Sequence, residues 1–169
     1  RLFVSHLYAP DDEYFRVFEY LESAVNFFYA NLSAPEKPPR KLDRESLKEG
    51  LRNQMSDAEV VIMLASLYER DPVLIEFQAI YAKACDKPII VMEPFGTGQI
   101  VPAKLRDLAE EVLPWNEREM ADAIRRQARH DTVAIENQVR LEAKAGYDRL
   151  TVARRELTAA DLNLTQARP

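Results

Sequence analysis

Short apolar runs alternate with amphipathic stretches along the first 115 residues. Residues 60–65 (VVIMLA) and 88–92 (PIIVM) are continuous runs rich in Val and Ile. Such runs suit strands buried on both faces, as in a parallel sheet covered by helices. Between them, Asp71-Pro72 reads as an N-cap followed by the first helical position. Val73, Phe77, Ile80 and Ala84 recur at helical spacing, and Leu74 and Tyr81 widen the stripe. Two buried strands joined by an amphipathic helix predict a right-handed βαβ unit.

The pattern continues on both sides of this unit. Residues 2–6 (LFVSH) predict the first strand. Tyr14, Phe18, Leu21 and Val25 predict a helix that begins among acidic residues, where a helix N-terminus favours them. Residues 27–32 (FFYANL) predict a second strand, followed by a loop over 33–43 with three prolines. Asp43 is placed to cap a helix carrying Leu47, Leu51 and Met55. A short helix over 102–111 and an edge strand within EVLPW complete the alternation. The predicted class is α/β, with five parallel strands and helices on both faces.

Beyond Asn116 the composition changes. Residues 116–168 contain no proline and one glycine, Gly146. Val139, Ala143, Gly146, Leu150, Ala153, Leu157, Ala160 and Leu164 alternate spacings of four and three, the seam of a helix pair. The expected organisation is an α/β domain over 1–126 and a helical extension over 127–169, with a break near 130–133 (HDTV).

The net charge of −5 gives no general attraction to nucleic acid or an anionic membrane. No apolar run reaches the ~20 residues that span a bilayer, and RLFV leads at once into polar residues, unlike a secretory leader. A cytoplasmic location is expected. A single cysteine, Cys85, excludes an internal disulfide and is expected as a small buried hydrophobe.

Several chemistries lack their residues. The GTG at 96–98 has neither the dinucleotide-binding spacing nor a phosphate-loop lysine. His6 and His130 have no metal-ligand spacing, so no metal is expected. The third strand ends LAS, without a phosphoacceptor aspartate, and no G-x-S-x-G elbow occurs. In open parallel sheets, ligands bind beyond the carboxyl ends of the strands. Those ends bring Ser5, His6, Tyr8, Asn31, Ser33, Ser66 and Phe95 to one rim. Rings for stacking and hydroxyls or an amide for ribose contacts suit a sugar or nucleotide. On the helix after Asp71, Glu76 and Gln78 lie about 100° to either side of the apolar stripe, so only one faces the rim. A carboxylate there could stabilise the oxocarbenium-like state that forms when a glycosidic C–N bond breaks.

The chain resembles bacterial TIR-like proteins of the Thoeris antiphage systems. The resemblance rests on LFVSHLYAPDDEYFRVFEYLE, FFYANLSAP, LKEGLRNQMSDAEVVIMLAS, DKPIIVMEPFG and PWN, in that order over about residues 2–126. It implies a flavodoxin-like TIR fold. It also implies cleavage of NAD, as substrate and not cofactor, at the nicotinamide–ribose bond, with an ADP-ribose-derived product sensed by a downstream effector protein. Ser5, His6 and Tyr8 would line the nicotinamide–ribose side, Asn31 and Ser33 would contact the rest of the nucleotide, and Ser66 is a further binding candidate. Counting back nine residues from Lys87, the family's catalytic glutamate falls on Gln78. Leu74 stands where the family has an aromatic residue. Residue 78 is then an engineered Glu-to-Gln change, a natural binding-only variant, or bypassed by Glu76 through a local distortion. Two other functions compete: an assembly module that self-associates through its TIR surfaces and C-terminal helices, and a nucleoside deoxyribosyltransferase-like enzyme.

Overall fold

The computed structural model of the chain describes residues 1–9, 11–96 and 98–128. Contacts divide the chain into two units, Arg1–Arg129 and His130–Pro169. The expected helix seam from Val139 to Leu164, and the break at 130–133, lie outside the described residues. Residues 117–128 are helical and run across the expected boundary at 126/127.

Strand β1 (Leu2–Val4) pairs in parallel with β2 (Val60–Leu64), β2 with β3 (Ile89–Met92), and β3 with β4 (Glu111–Leu113), in the order β1-β2-β3-β4. The registers begin at Leu2↔Val60, Val61↔Ile89 and Ile90↔Glu111. Every residue of β2 and β3 is buried, as their unbroken apolar runs require in a sheet covered on both faces. The helices are α1 (Asp12–Ser23), α2 (Arg44–Met55), α3 (Pro72–Ala84) and α4 (Ala103–Leu108). A 3₁₀ turn over Ala65–Tyr68 leads from β2 toward α3. Helices α2, α3 and α4 pack side by side. Helix α1 is tied instead to the helix over 117–128, where Ser23 donates to Glu117 (3.0 Å). Asp43 and Asp71 cap their helices as the sequence predicts, and Asp11 caps α1; each accepts from backbone N–H groups in its helix's first turn.

Several sequence expectations need correction. Residues 27–32 do not form a strand. They make one isolated parallel bridge, Leu2↔Asn31, through Leu2 N–H to Ala30 O (2.8 Å) and Leu32 N–H to Leu2 O (2.9 Å). A continued ladder would next use the N–H groups of Val4 and Ala34. Instead Val4 N–H donates to the Ser33 hydroxyl (3.3 Å) and Ala34 N–H to the Gln54 side chain (2.8 Å). Two side chains thus end the strand after one rung, and the described sheet has four strands. The segment still lies beside β1, the place that the second strand takes in flavodoxin-like sheets.

The second correction concerns α3. Its buried residues are Leu74, Ile75, Gln78, Ala79 and Ala82, whereas Val73 (53 % exposed), Ile80 (57 %) and Ala84 face outward. The helix is apolar on almost every side, so periodicity alone could not choose its inner face. Small Ala79 and Ala82 lie on the inner side and let the helix approach closely. The third correction is Cys85, which is exposed at the end of α3. Outside α3, Val25 is also exposed, because α1 ends at Ser23 and Tyr14, Val17 and Leu21 form its buried face. Among the described residues, no helix is long and apolar enough to cross a membrane.

One close approach fixes the turn after β1. Tyr8 adopts the left-handed conformation (φ 55°) and lays its ring against α2. A Cβ at Gly50 would sit 2.3 Å from the Tyr8 hydroxyl oxygen. In an open helix Gly→Ala gains about 1 kcal/mol; here the hydroxyl opposes it. In a double-mutant cycle, Gly50→Ala should be destabilising in the parent and stabilising alongside Tyr8→Phe, with a coupling of about 2 kcal/mol by urea denaturation.

Candidate functional site

The end of β1, the inner face of α3 and the first residues of the proline-rich loop meet around His6. Gln78 is fully buried on α3 and aims at the β1 end. Its amide oxygen accepts from His6 N–H (3.3 Å), and its amide nitrogen donates to His6 O (3.1 Å) and Leu74 O (3.2 Å). A primary amide meets both backbone groups of one residue because it carries a donor and an acceptor side by side. An ionised carboxylate in the same place would keep only the bond from His6 N–H and would face two carbonyl oxygens.

The His6 ring is buried, and both of its nitrogens are engaged. Tyr8 N–H donates to Nδ1 (3.2 Å). A backbone N–H can only donate, so Nδ1 carries the lone pair and Nε2 the proton. Nε2 then donates to the Gln54 side-chain oxygen (2.9 Å). Burial pushes the imidazole down to about 4, against a smaller upward effect from the Gln54 hydrogen bond and the charge of Glu36. The Tyr8 ring lies edge-on to His6 (4.8 Å), and burial raises its hydroxyl to about 12.

A second knot holds the start of the loop. The Tyr14 hydroxyl donates to Ser33 O (3.2 Å) and accepts from the Asn31 amide (3.1 Å). The Asn31 carbonyl oxygen accepts from both the Ser33 N–H and the Ser33 hydroxyl. Gln54 joins the two knots, because its oxygen also takes the Ala34 N–H.

The structure therefore groups some predicted residues and separates others. His6, Tyr8, Asn31, Ser33 and Gln78 form one connected network. Ser5 is buried, and its hydroxyl accepts Leu64 N–H (2.8 Å), extending the β1–β2 pairing. Ser66 lies apart, donating to Glu13 (2.6 Å), whose other oxygen takes Phe95 N–H (2.9 Å). Glu76 points away from His6, toward α4, where it accepts from Lys104 (2.7 Å) and from the Tyr68 hydroxyl. Lys104 first and Tyr68 second hold its carboxyl below the usual range. Gln78 does not flank the buried face of α3, as the sequence spacing predicts; it lies within it.

The sequence reading missed Gln54 and Glu13. Gln54 had a signal: it shares the inner face of α2 with Leu47, Leu51 and Met55, as a polar residue on an apolar stripe. Glu13 had none, since acidic first turns are common. Of the three N-cap carboxylates, Asp11 is matched by Arg70 (2.6 Å) and Asp71 by Arg44 (2.8 Å), whereas Asp43 is held by the Ser46 N–H and hydroxyl. Two surface clefts, about 510 and 330 Å³, lie elsewhere, around Glu117, Arg118 and Asp122, and include none of the predicted residues. Among the described residues, no group of His, Cys, Asp and Glu could hold a metal ion.

Because folding lowers the His6 pKa from the ordinary 6.5 to about 4, the unfolded chain binds the extra proton first. Stability contributed by the neutral ring is complete above about pH 6.5 and is lost as pH falls toward 4. Chemical denaturation across this window should show the parent losing up to about 3 kcal/mol more than His6→Gln, with the two parallel above pH 7.

No curated protein matches the chain. The family described as Thoeris protein ThsB, TIR-like domain, matches residues 3–99, more than half of the 169. That stretch runs from β1 through α1, α2 and α3 to the loop after β3, and so contains His6, Gln54 and Gln78. The chain belongs to the Thoeris ThsB TIR-like family, and its role is a TIR-family role in antiphage defence.

Proposed function

We propose that this chain binds a nicotinamide dinucleotide, or a related nucleotide, at the TIR-type site under the proline-rich loop. The observation that carries the reading is the position of Gln78. It lies nine residues before Lys87 and aims at the β1 end, on the buried face of α3. Glu76 is on the opposite side, engaged by Tyr68 and Lys104, which disfavours it as a substitute.

Breaking a nicotinamide–ribose bond builds positive charge on the ribose ring. A carboxylate at position 78 would stabilise that charge in a water-poor site. An amide can hold ribose hydroxyls but supplies no charge. The chain as it stands is then the binding form of an NAD-cleaving TIR protein. With a carboxylate at 78 the same scaffold is the hydrolase, releasing an ADP-ribose-derived signal to an effector protein. Gln78 lies beneath the His6 backbone, so a ribose reaches it when the turn over residues 6–9 shifts.

Incubation of the chain and of Gln78→Glu with NAD, followed by product analysis, tests this. The parent should leave NAD intact while binding it, and Gln78→Glu should release nicotinamide. If Gln78→Glu releases none, with or without an infection-derived trigger, the enzyme reading fails. Transfer of deoxyribose between bases would point to a deoxyribosyltransferase instead. The same variant carries a stability signature. Its carboxyl would face His6 O and Leu74 O, raising its folded pKa above the unfolded value. Its protonated form is accommodated at low pH, and stability is lost as pH rises through the folded pKa. Gln78→Glu should therefore be about 1–3 kcal/mol less stable than the parent at pH 7.5 and approach it near pH 4.

An assembly role is favoured by the outer face of α3. Val73, Ile80 and Ala84 are exposed there beside the stacked rings of Phe77 and Tyr81 (6.1 Å). The adjoining α2 surface carries both charge signs, in the pairs Lys48–Glu45 and Arg52–Glu49. A face with an apolar stripe and balanced charge can meet its own copy across a two-fold axis. Light scattering should give a mass above the monomer for the parent and a lower one for Ile80→Lys; equal masses remove this reading.

A further inference from the structure

We infer that Gln54 is a positioning residue of the proposed site: one side-chain oxygen holds both the His6 imidazole and the start of the proline-rich loop, so that ring and loop are set together. The inference rests on the functional reading only for its consequence; the coupling itself stands on geometry.

The Gln54 oxygen takes His6 Nε2–H at 2.9 Å and Ala34 N–H at 2.8 Å. Its amide nitrogen reaches back to Ala34 O at 3.5 Å. No helix–loop packing requires a glutamine here, since Leu51 and Met55 on the same face are apolar and fully buried. What the amide supplies is an acceptor with two lone pairs, placed between a ring donor and a backbone donor. The backbone donor is one that a regular edge strand would have given to β1. The loop is thereby redirected from the sheet onto α2, through the same atom that fixes the ring.

The ring orientation matters in turn. With Nε2–H held by Gln54, Nδ1 is left to accept Tyr8 N–H, and this closes the turn whose His6 peptide clasps Gln78. Movement of the loop away from α2 removes one of the two donors on Gln54 and frees that side chain to rotate. The ring then loses its acceptor, and the turn covering Gln78 loses its support. A nucleotide displacing the loop would in this way loosen the lid over residue 78, without touching His6.

Nuclear magnetic resonance on the full chain tests the coupling without any nucleotide, so its outcome is separate from that of the NAD assay. The His6 signals are distinguished from those of His130 by a His130→Gln variant. In the parent, long-range ¹⁵N–¹H spectra should show the Nε2–H form of His6, and the Ala34 amide should be protected. Gln54→Leu removes the acceptor: the Nε2–H proton of His6 should exchange faster with solvent, and Ala34 exchange should quicken about tenfold. Gln54→Glu keeps the acceptor and should retain the tautomer and the Ala34 protection. It should also raise the His6 titration midpoint well above the parent's, because a carboxylate then faces Nε2 in addition to the nearby Glu36. A change at the ring with none at Ala34, or the reverse, in Gln54→Leu overturns the inference. If Gln54→Leu does not fold, Gln54→Glu decides alone: an unmoved His6 midpoint overturns it, and a raised midpoint with Ala34 still protected supports it.

Discussion

The Gln78 amide and the His6 peptide fit each other as donor to acceptor and acceptor to donor, both buried away from bulk solvent. The turn after β1 depends on this match. Once the His6 backbone is fixed, the imidazole is directed at Gln54, Tyr8 N–H is directed at Nδ1, and the Tyr8 ring is carried over Gly50. Each contact is modest alone. Together they give both ring nitrogens and both backbone groups of His6 a partner, the kind of satisfaction by which a polar interior rigidifies a fold. A carboxylate cannot reproduce the match without a proton. Position 78 therefore sets one property against another: an amide gives a closed, satisfied turn, whereas a carboxylate would bring a charge and leave the turn incompletely bonded.

How much of this could be read from the chain depends on the kind of information each residue carries. The strands β2 and β3 were legible because their five and four buried positions each leave an unbroken apolar run. The helix caps were legible because Asp at an N-cap acts locally. The second strand was misread because its termination is not local: Ser33 and Gln54 take the N–H groups that β1 and its neighbour would otherwise share, and Gln54 lies 20 residues away. The face of α3 was misread because Val73, Ile80, Ile75 and Leu74 are equally apolar, and only the sheet decides which pair is covered. Within the site, His6 and Gln78 were picked out as candidates, but their mutual contact spans 72 residues and no spacing rule reports it.

The two glutamines share a signature that is clear in retrospect. Gln54 occurs on α2 among Leu47, Leu51 and Met55, and Gln78 on α3 among Leu74, Ile75, Ala79 and Ala82. Each is an uncharged polar residue at a core-facing position of an otherwise apolar stripe. Because burying an amide without partners costs several kcal/mol in apolar surroundings, such a residue implies a polar group opposite it. Here the opposite group is the same in both cases: His6, approached by its side chain from α2 and by its backbone from α3.

The single rung between Leu2 and Asn31 has a further consequence for the protein as a solute. A sheet edge with a row of free N–H and C=O groups is a template for other chains. Here Asn31 folds its side chain onto Ser33, the Ser33 hydroxyl covers Val4 N–H, and Gln54 covers Ala34 N–H. The groups on which a foreign strand would have zipped onward are already taken by side chains of the same molecule. The knot that shapes the site thus also blunts the edge against strand exchange with other copies, and colloidal stability and site geometry draw on the same few atoms.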